Sequence, residues 1–492
     1  MVYINPDRPT GPWQTRVRFG PGGAFAYRPG ELLVKADVAD FANEKLLGWA
    51  DERRAMGETM DLYREEGLVA ESFARFRGTF DTREAMEELH SQGILSQVNH
   101  VLFATSCCPP HPSDPAAESF YASPFYASPF YASPFYASPF YASPFYASPF
   151  YASPFYASSG CGCGGGGCGC GCAGGTEANP FYASPFYASA DRSPFVDASS
   201  RHTGGRSSSA RPAADPKRPQ RPPVEGVRVA ILDTGWAQAN VPTGLPGIDV
   251  TAYGGDRADA DGDGFLDPAA GHGTFIAGII EQLTPGCSID VIEVLSTYGE
   301  GDEAEIAEVL LALAQRPDEE RPQLVNLSFG GYSPVGMAVL AQAIKALHDA
   351  GSVVVASAGN DATCVPMFPA ALPHVVGVAA LDKEGKPARF TNYGPWVRAC
   401  AHGGDVVSIF FEGFDGAGPP QQNYDLDRFE GWAQWSGTSF AAPAVVAALA
   451  AAVGRGTAPH DAVAQLVDDP KLDRKPMLGT IVHPTDAEPK PQ

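Results

Sequence analysis

Three short motifs after residue 224 carry side chains that can act together as a nucleophilic catalyst. VAILDTG places Asp233 at the end of an apolar run, AGHGTFIAG places His272 before a second run, and WSGTSFAAP places Ser439 before a third. A serine hydroxyl attacks a carbonyl efficiently only when an imidazole takes its proton, and the imidazole needs a carboxylate to fix its tautomer. The order Asp, His, Ser therefore supplies the groups that acyl transfer requires.

A fourth motif, SVVVASAGN, ends at Asn360, whose carboxamide can donate a hydrogen bond to a developing oxyanion. The backbone N–H of Ser439, at an expected helix N-terminus, is the second donor. Taken singly, an Asp after a strand or a Ser before a helix is more typical of a turn or a cap. The four motifs in one region favour catalysis.

The elements that must position these residues are predicted by alternating apolar strands and helices from residue 224 onward. Such alternation is typical of an α/β fold, with a mostly parallel sheet and helices on both faces. The motifs then follow the carboxyl ends of strands, where α/β folds place their sites. The runs are VRVAILD, IDVIEVLS, EAEIAEVLLALA, QLVNLSF, GMAVLAQAIKALHDA, SVVVASAG and HVVGVAAL.

Composition divides the 492 residues into four regions. Residues 1–26 are rich in Pro and Gly and are expected to be irregular. Residues 27–105 contain runs in the order β-α-β-α-β, with Thr82 as the expected cap of the second helix, which predicts a small α+β domain. Residues 106–223 have almost no aliphatic core residues, which predicts a long disordered linker. Residues 224–492 are the predicted catalytic region.

The net charge and the hydropathy of the chain limit the kinds of partner that the sequence predicts. The net charge of −23 argues against a nucleic-acid partner, and the chain lacks an apolar run of about eighteen residues that would span a membrane. The opening MVYINPDRPTGPWQTRVRFG has no basic-then-apolar signal pattern, so the cytoplasm is the default expectation, with unconventional export left open.

Ten cysteines are placed too unevenly to indicate a disulfide framework. Cys107 and Cys108 are adjacent, and five more lie in CGCGGGGCGCGC, for which metal binding, oxidation and free thiols all stay open. The sequence also leaves open whether Cys364 and Cys400 approach each other or are simply buried.

The motifs DTG, HGT, ASAGN and GTSFAAP together resemble those of the subtilisin-like serine proteases (subtilases), over residues 224 to about 455. The resemblance implies that Asp233 orients the imidazole of His272, the general base and later acid. It also implies that Ser439 is the nucleophile and Asn360 the oxyanion donor. Phe275 in HGTF and His402 in AHG depart from the family pattern and leave the subfamily and the local loop shape open.

NLSFGG resembles the family strand that pairs with the substrate backbone. The resemblance implies a pocket, between two walls, for the side chain of the residue before the scissile bond. The substrate-binding residues so implied are Ser328, Phe329 and Gly330 on one wall and Ala356, Ser357, Ala358 and Gly359 on the other.

Residues 27–105 resemble the inhibitory propeptide of the same family, with YRPGELLVK as its first strand and SQVNHVLFA as its last. The resemblance implies a self-inhibited precursor, in which this domain is a partner in cis until autocleavage near Ala104–Ser106. The fold that the resemblance implies is ferredoxin-like α+β, and the alternative is a small α+β domain docked elsewhere.

The stretch DADGDGFLDPAAGHG has carboxylates at the spacing of an oxygen-rich calcium loop, but Ala270 stands where a bidentate Glu would close it. Two interpretations stay open: a structural calcium site, favoured by the mutual repulsion of the carboxylates, and a polar surface loop. The expected chemistry itself requires no cofactor. The candidate ligands are Asp259, Asp261, Asp263 and Asp267.

We expect a serine endopeptidase that hydrolyses polypeptides through an acyl-enzyme. The alternative is a display or peptide-maturation protein in which the linker is the functional element and the protease fold is a scaffold or a self-processing device. The linker carries PFYAS repeats within residues 123–158 and 180–189. The resemblance to subtilases implies a pocket that often accepts a large apolar side chain, which predicts cleavage after repeat phenylalanines such as Phe125 or Phe150. The competing interpretation is a semi-extended spacer.

Overall fold

The computed structural model shows two sheets that carry most of the fold and a smaller third sheet. It describes residues 18–19, 25–104, 210–216, 221–237, 245, 247–260, 262, 264, 266–333, 336–415 and 428–483.

The N-terminal elements form an antiparallel sheet with two helices. The predicted β-α-β-α-β series is present, with a three-residue strand added before the third predicted run. The side chains of Leu32, Leu46, Phe76 and Leu89 are fully buried in the core between sheet and helices. In chain order the elements are β1 (Arg18–Phe19), β2 (Ala26–Lys35), α1 (Ala39–Ala55), β3 (Leu62–Arg64), β4 (Phe73–Gly78), α2 (Thr82–Ser91) and β5 (Ser96–Ala104).

The cap of α2 is Asp81, one residue earlier than the predicted Thr82. The Asp81 side chain accepts a hydrogen bond from the Glu84 backbone N–H at 3.0 Å. The Thr82 hydroxyl instead accepts from the Gly30 backbone N–H at 2.7 Å. Thr82 is therefore used to tie α2 to the turn within β2.

The rest of the chain forms the strands β6 (Arg211–Pro212), β7 (Arg228–Asp233), β8 (Asp249–Tyr253), β9 (Ser288–Glu293), β10 (Glu300–Asp302), β11 (Leu324–Leu327), β12 (Phe329–Gly330), β13 (Val353–Ser357), β14 (Val375–Leu381), β15 (Ala399–His402), β16 (Val406–Asp415), β17 (Arg428–Trp435), β18 (Arg474–Lys475) and β19 (Gly479–Ile481). The larger sheet has the order β18-β19-β15-β14-β13-β11-β7-β9-β8, and its neighbouring strands are parallel except β18 and β19. This confirms the predicted α/β class. The helices are α3 (His272–Leu283), α4 (Glu303–Ala314), α5 (Ala338–Asp349), α6 (Thr438–Val453) and α7 (Pro459–Val463).

Helices cover both faces of this sheet because its strands are apolar on both sides. In β7, Val229 and Ile231 pack into the core that contains α3 and α6. Ala230 and Leu232 pack into the core that contains α4 and α5. This alternation is the two-residue period of a strand, and it explains why β7 reads as a continuous apolar run.

A hairpin of β16 and β17 packs on α3 and forms the third sheet with β6. Its aromatic residues Phe410, Phe411, Phe429 and Trp435 are buried in the core of the α3 and α6 face. Within the described residues, no helix combines the length and the apolar character needed to cross a membrane.

Candidate active site

The Asp233 and His272 side chains meet where β7 ends and α3 begins. The Asp233 Oδ1 atom lies 2.7 Å from His272 Nδ1, and both side chains are fully buried. Gly271 precedes His272 with a φ of 79°, and a Cβ there would lie 2.2 Å from a Phe410 ring carbon. A glycine is thus required both by the left-handed backbone and by the aromatic hairpin.

The imidazole of His272 is enclosed by aromatic rings. The Trp435 ring lies edge-on at a centroid distance of 5.5 Å, and the Phe440 ring lies tilted at 5.4 Å. His272 Nε2 is buried and has no hydrogen-bond partner among the described residues. The nitrogen opposite the carboxylate is therefore the one left to exchange a proton.

Ser439 is the second residue of α6 and forms a reciprocal pair with Ser328, the residue between β11 and β12. The Ser439 hydroxyl donates to the Ser328 carbonyl at 3.1 Å, and the Ser328 hydroxyl donates to the Ser439 carbonyl at 2.8 Å. This pair joins the predicted nucleophile to the first wall of the predicted pocket. In this state the Ser439 hydroxyl is directed at a backbone carbonyl.

Asn360 is held at the N-terminus of α6 through its carboxamide oxygen. That oxygen accepts hydrogen bonds from the Thr438 backbone N–H at 2.9 Å and from the Thr438 hydroxyl at 3.0 Å. The Thr438 hydroxyl also accepts from the Gly359 backbone N–H at 3.0 Å. With the oxygen engaged, the NH2 end of Asn360 is the end left to donate, beside the residue that precedes Ser439.

The seven predicted pocket residues lie on β12 and β13 or directly after β11 and β13. Ser328 follows β11, and Phe329 and Gly330 form β12. Ala356 and Ser357 end β13, which is parallel to β11 with Ala356 opposite Leu327. Ala358 and Gly359 continue from β13 toward Asn360. The structure thus brings both walls beside Ser439.

Asp256 is a buried carboxyl of the site that the sequence did not single out. Its Oδ2 atom accepts from the Thr234 hydroxyl at 2.7 Å and from the Gly271 backbone N–H at 2.9 Å. Burial raises the pKa of Asp256 well above its usual range, and the nearby Asp233 charge adds to the rise. Asp256 links the end of β7 to the start of α3, and in the sequence it is hidden among other acidic residues of the same loop.

The predicted calcium ligands are only partly within the described residues, since Asp261 and Asp263 lie outside them. The Asp259 carboxylate accepts from the backbone N–H groups of Gly262 and Gly264 at 2.6 and 2.8 Å. Asp267 Oδ2 accepts from the Thr297 hydroxyl at 2.6 Å. Over the described part of the chain, no three His, Cys, Asp or Glu side chains are grouped as metal ligands. Asp259 and Asp267 therefore act as loop acceptors here.

The described cysteines are buried thiols. Cys287, Cys364 and Cys400 are free, which shows that Cys364 and Cys400 are not joined. Burial raises the pKa of Cys287 and of Cys400 to about 12, so these thiols behave as small apolar side chains. The adjacent pair and the Gly/Cys tract lie outside the described residues.

Comparison with known proteins places this site in a family. The model of the subtilase family, Peptidase_S8, matches residues 224–466. The chain is 33% identical over 242 residues to thermitase of Thermoactinomyces vulgaris, which covers 47% of this chain and 76% of thermitase. It is 31% identical over 244 residues to the thermophilic serine proteinase of Bacillus sp. (strain AK1), which covers 47% of this chain and 53% of that protein.

Among solved structures, a lanthipeptide protease is similar at 22% identity and a TM-score of 0.41, covering 53% of this chain and 86% of that chain. The family match covers the part of the chain that holds Asp233, His272, Asn360 and Ser439. The chain belongs to the subtilase family and is a subtilisin-like serine peptidase.

Proposed function

We propose that this peptidase is an endopeptidase made as a self-inhibited precursor, with Asp233, His272, Ser439 and Asn360 as its catalytic residues. The observation that carries the proposal is the buried 2.7 Å contact of Asp233 and His272 beside the N-terminus of α6. A buried carboxylate on one imidazole nitrogen fixes the tautomer and stabilises the imidazolium that forms during acyl transfer.

In this mechanism His272 Nε2 takes the Ser439 hydroxyl proton while the oxygen attacks the substrate carbonyl. The hydroxyl must first turn away from the Ser328 carbonyl that it contacts here. The Asn360 NH2 group and the Ser439 backbone N–H hold the oxyanion. The imidazolium then gives its proton to the leaving amine, and water hydrolyses the acyl-enzyme by the same proton transfers in reverse.

The self-inhibited state is supported by the pairing of β5 with two strands of the catalytic region. β5 lies between β10 and β12 and is antiparallel to both. Phe103 is opposite Glu300 on one side and Gly330 on the other, and the Ala104 backbone N–H donates to the Gly299 carbonyl at 2.7 Å. An extended peptide bound as an added strand would make the same backbone contacts, so β5 excludes it.

The register of β5 supports one cleavage position. Ala104 is opposite Phe329, so an antiparallel strand continued by one residue would place residue 105 opposite Ser328. The Ser328 carbonyl is the group that contacts the Ser439 hydroxyl. Thr105 and Ser106 lie outside the described residues, and we propose that the bond between them is the one cut.

Side-chain contacts support the N-terminal domain as the partner in cis. Leu33, Val69 and Phe73 pack in the same apolar core as α4 and α5. His100 Nδ1 lies 2.7 Å from Glu303 Oε2, with both side chains buried. An apolar contact and a buried polar pair together favour a specific docked arrangement.

Fluorophosphonate labelling tests the proposed nucleophile. We expect the label on Ser439 of the wild-type chain and none on Ser439→Ala. We also expect labelling to rise as the N-terminal fragment separates, because β5 covers the groove. Equal labelling of the two proteins would contradict the assignment of Ser439, and complete labelling of the uncleaved chain would contradict self-inhibition. The display alternative is not favoured, since the chain retains every group of the catalytic set.

A further inference from the structure

We infer that Met367 fills the pocket for the residue before the scissile bond, so that the enzyme cleaves after small residues such as Thr, Ser or Ala. The inference rests on the proposed function, which makes the two strands beside Ser439 the walls of that pocket. It concerns what those walls leave room for.

The Met367 side chain lies next to one glycine of each wall. A Cβ built on Gly330 would lie 2.9 Å from Met367 Cε. A Cβ built on Gly359 would lie 2.3 Å from Met367 Sδ. Both glycines lack a side chain where a pocket would open, and the Met367 thioether occupies the space next to both.

Met367 is held in this place by backbone pairing. The Gly331 N–H donates to the Phe368 carbonyl at 2.8 Å, and the Phe368 N–H donates to the Gly331 carbonyl at 2.9 Å. The Ala371 N–H donates to the Met367 carbonyl at 2.9 Å. Met367 is only 4% exposed, and the Asn392 amide nitrogen lies 3.9 Å from its sulfur. The segment is thus joined to the residue after β12 by one antiparallel bridge.

The volume left between the walls decides which substrate side chains bind. A phenylalanine ring would have to displace the Met367 side chain, and overpacking a filled apolar site is unfavourable. A methionine side chain is flexible enough to yield in part, so we expect a preference rather than complete exclusion. A threonine, serine or alanine side chain needs little of this space.

The proposed self-cleavage position agrees independently with a small pocket. Thr105, which we propose precedes the scissile bond, is small and β-branched. The inference also opposes cleavage after repeat phenylalanines such as Phe125 and Phe150, which lie outside the described residues. It favours the interpretation of the repeats as a spacer.

Two fluorogenic peptides that differ in one residue test the pocket. The first peptide, Leu-Phe-Ala-Thr, has the sequence of residues 102–105, and the second, Leu-Phe-Ala-Phe, replaces its last residue with phenylalanine. Each carries a coumarin amide at its C-terminus, which cleavage releases. We expect the processed wild-type chain to show about tenfold higher kcat/KM for the threonine peptide, a ratio typical of apolar pockets. We expect Met367→Ala to shift the ratio toward phenylalanine by about ten- to a hundredfold.

Met337→Ala is the matched control, because Met337 is also buried and its Cε would lie 3.2 Å from a Cβ on Gly331 of the same wall. It removes the same volume without touching Gly359, so its ratio should equal that of wild type. A second measurement uses self-cleavage of the full chain: Thr105→Phe should slow it, and adding Met367→Ala should restore it.

A wild-type preference for phenylalanine, or a ratio that Met367→Ala leaves unchanged, overturns the inference. So does self-cleavage of Thr105→Phe at the wild-type rate. Loss of fluorophosphonate labelling at Ser439 is a different result, since it would contradict the proposed function and not the shape of the pocket.

Discussion

The Ser439 hydroxyl donates to the Ser328 carbonyl in this structure, while the proposed reaction needs it to donate to His272 Nε2. The register of β5 suggests how substrate brings about the change. A peptide strand continued opposite Ser328 presents a backbone N–H that competes for the same carbonyl. Substrate would then release the serine hydroxyl at the moment its own carbonyl arrives.

One substitution separates the two roles of Asn360, as a hydrogen-bond acceptor for Thr438 and as the proposed donor to the oxyanion. Its oxygen caps Thr438, and its NH2 group is the proposed oxyanion donor. Asn360→Asp keeps the acceptor and loses the donor, so we expect kcat to fall by about 10²- to 10³-fold with little change in KM.

The melting temperature of the same variant is the control for Asn360. Because the Asp side chain still accepts from Thr438, we expect the melting temperature of the variant to remain close to that of wild type. A variant that keeps wild-type kcat would contradict the assignment of Asn360 to the oxyanion. Thr438→Val tests the other role, since it removes one hydrogen bond to the Asn360 oxygen and the acceptor of the Gly359 N–H but leaves the donor in place. We expect it to lower the melting temperature and to reduce kcat less than Asn360→Asp does.

Among the elements, those with strong apolar periodicity were predictable and those that depend on distant contacts were not. The predicted helix EAEIAEVLLALA is α4, Glu303–Ala314, and the predicted strand VRVAILD contains β7. The hairpin of β16 and β17 was not predicted. Its pairing shifts register twice, and such shifts interrupt the regular alternation by which a strand is recognised in a sequence. Its role also depends on Trp435 reaching His272, which no local pattern shows.

Within the pocket too, the sequence predicted the local segments but not the residues that distant contacts bring there. The motifs predicted both walls, since each wall is a local stretch of sequence. No local sequence pattern indicates that Met367 lies in the pocket, because its position is set by the pairing of Phe368 with Gly331, which is distant in the sequence. Asp256 likewise acquires its role only when Thr234 and Gly271 are brought together.

A stack of three histidines joins the end of α5 to the segment before β14 and to α7, and it predicts a pH dependence of stability. His348 lies 4.0 Å from His374 and 4.3 Å from His460 between ring centroids. Burial lowers the pKa of His348 from about 6.5 to about 4, and the neighbouring imidazoles add to the fall. The unfolded chain therefore binds more protons between these values, and the free energy of unfolding should decrease as pH falls through this window.

Chemical denaturation at pH 7 and pH 4.5 measures this effect. We expect the free energy of unfolding of His348→Gln to fall less than that of wild type between pH 7 and pH 4.5. The variant lacks one histidine that the folded state keeps from binding a proton. His402→Gln, at an exposed histidine of β15, should keep the wild-type dependence. Some dependence should remain in every variant, since burial also lowers the pKa of His90 to about 4. An identical pH dependence in His348→Gln and wild type would contradict the prediction.

At the scale of the whole molecule, the N-terminal sheet is completed by two strands of the catalytic region. β10 and β12 pair with β5, and the core of α4 and α5 includes Leu33 and Phe73 from the N-terminal domain. The catalytic region and the strand that we propose blocks it therefore share one sheet and one apolar core. In the proposed activation, cutting the chain after β5 would leave these contacts in place, so the groove would open only when the two parts later separate.

The most direct test of the proposed function is to identify the N-terminus that the chain produces by itself. The full chain and its Ser439→Ala variant are purified in parallel and followed over time by intact mass and N-terminal sequencing. We predict that the wild-type chain yields a new N-terminus at Ser106, whereas Ser439→Ala stays at full length. A Ser439→Ala chain that is cut at the same bond at the same rate, or a wild-type chain that never cuts there, would contradict the account.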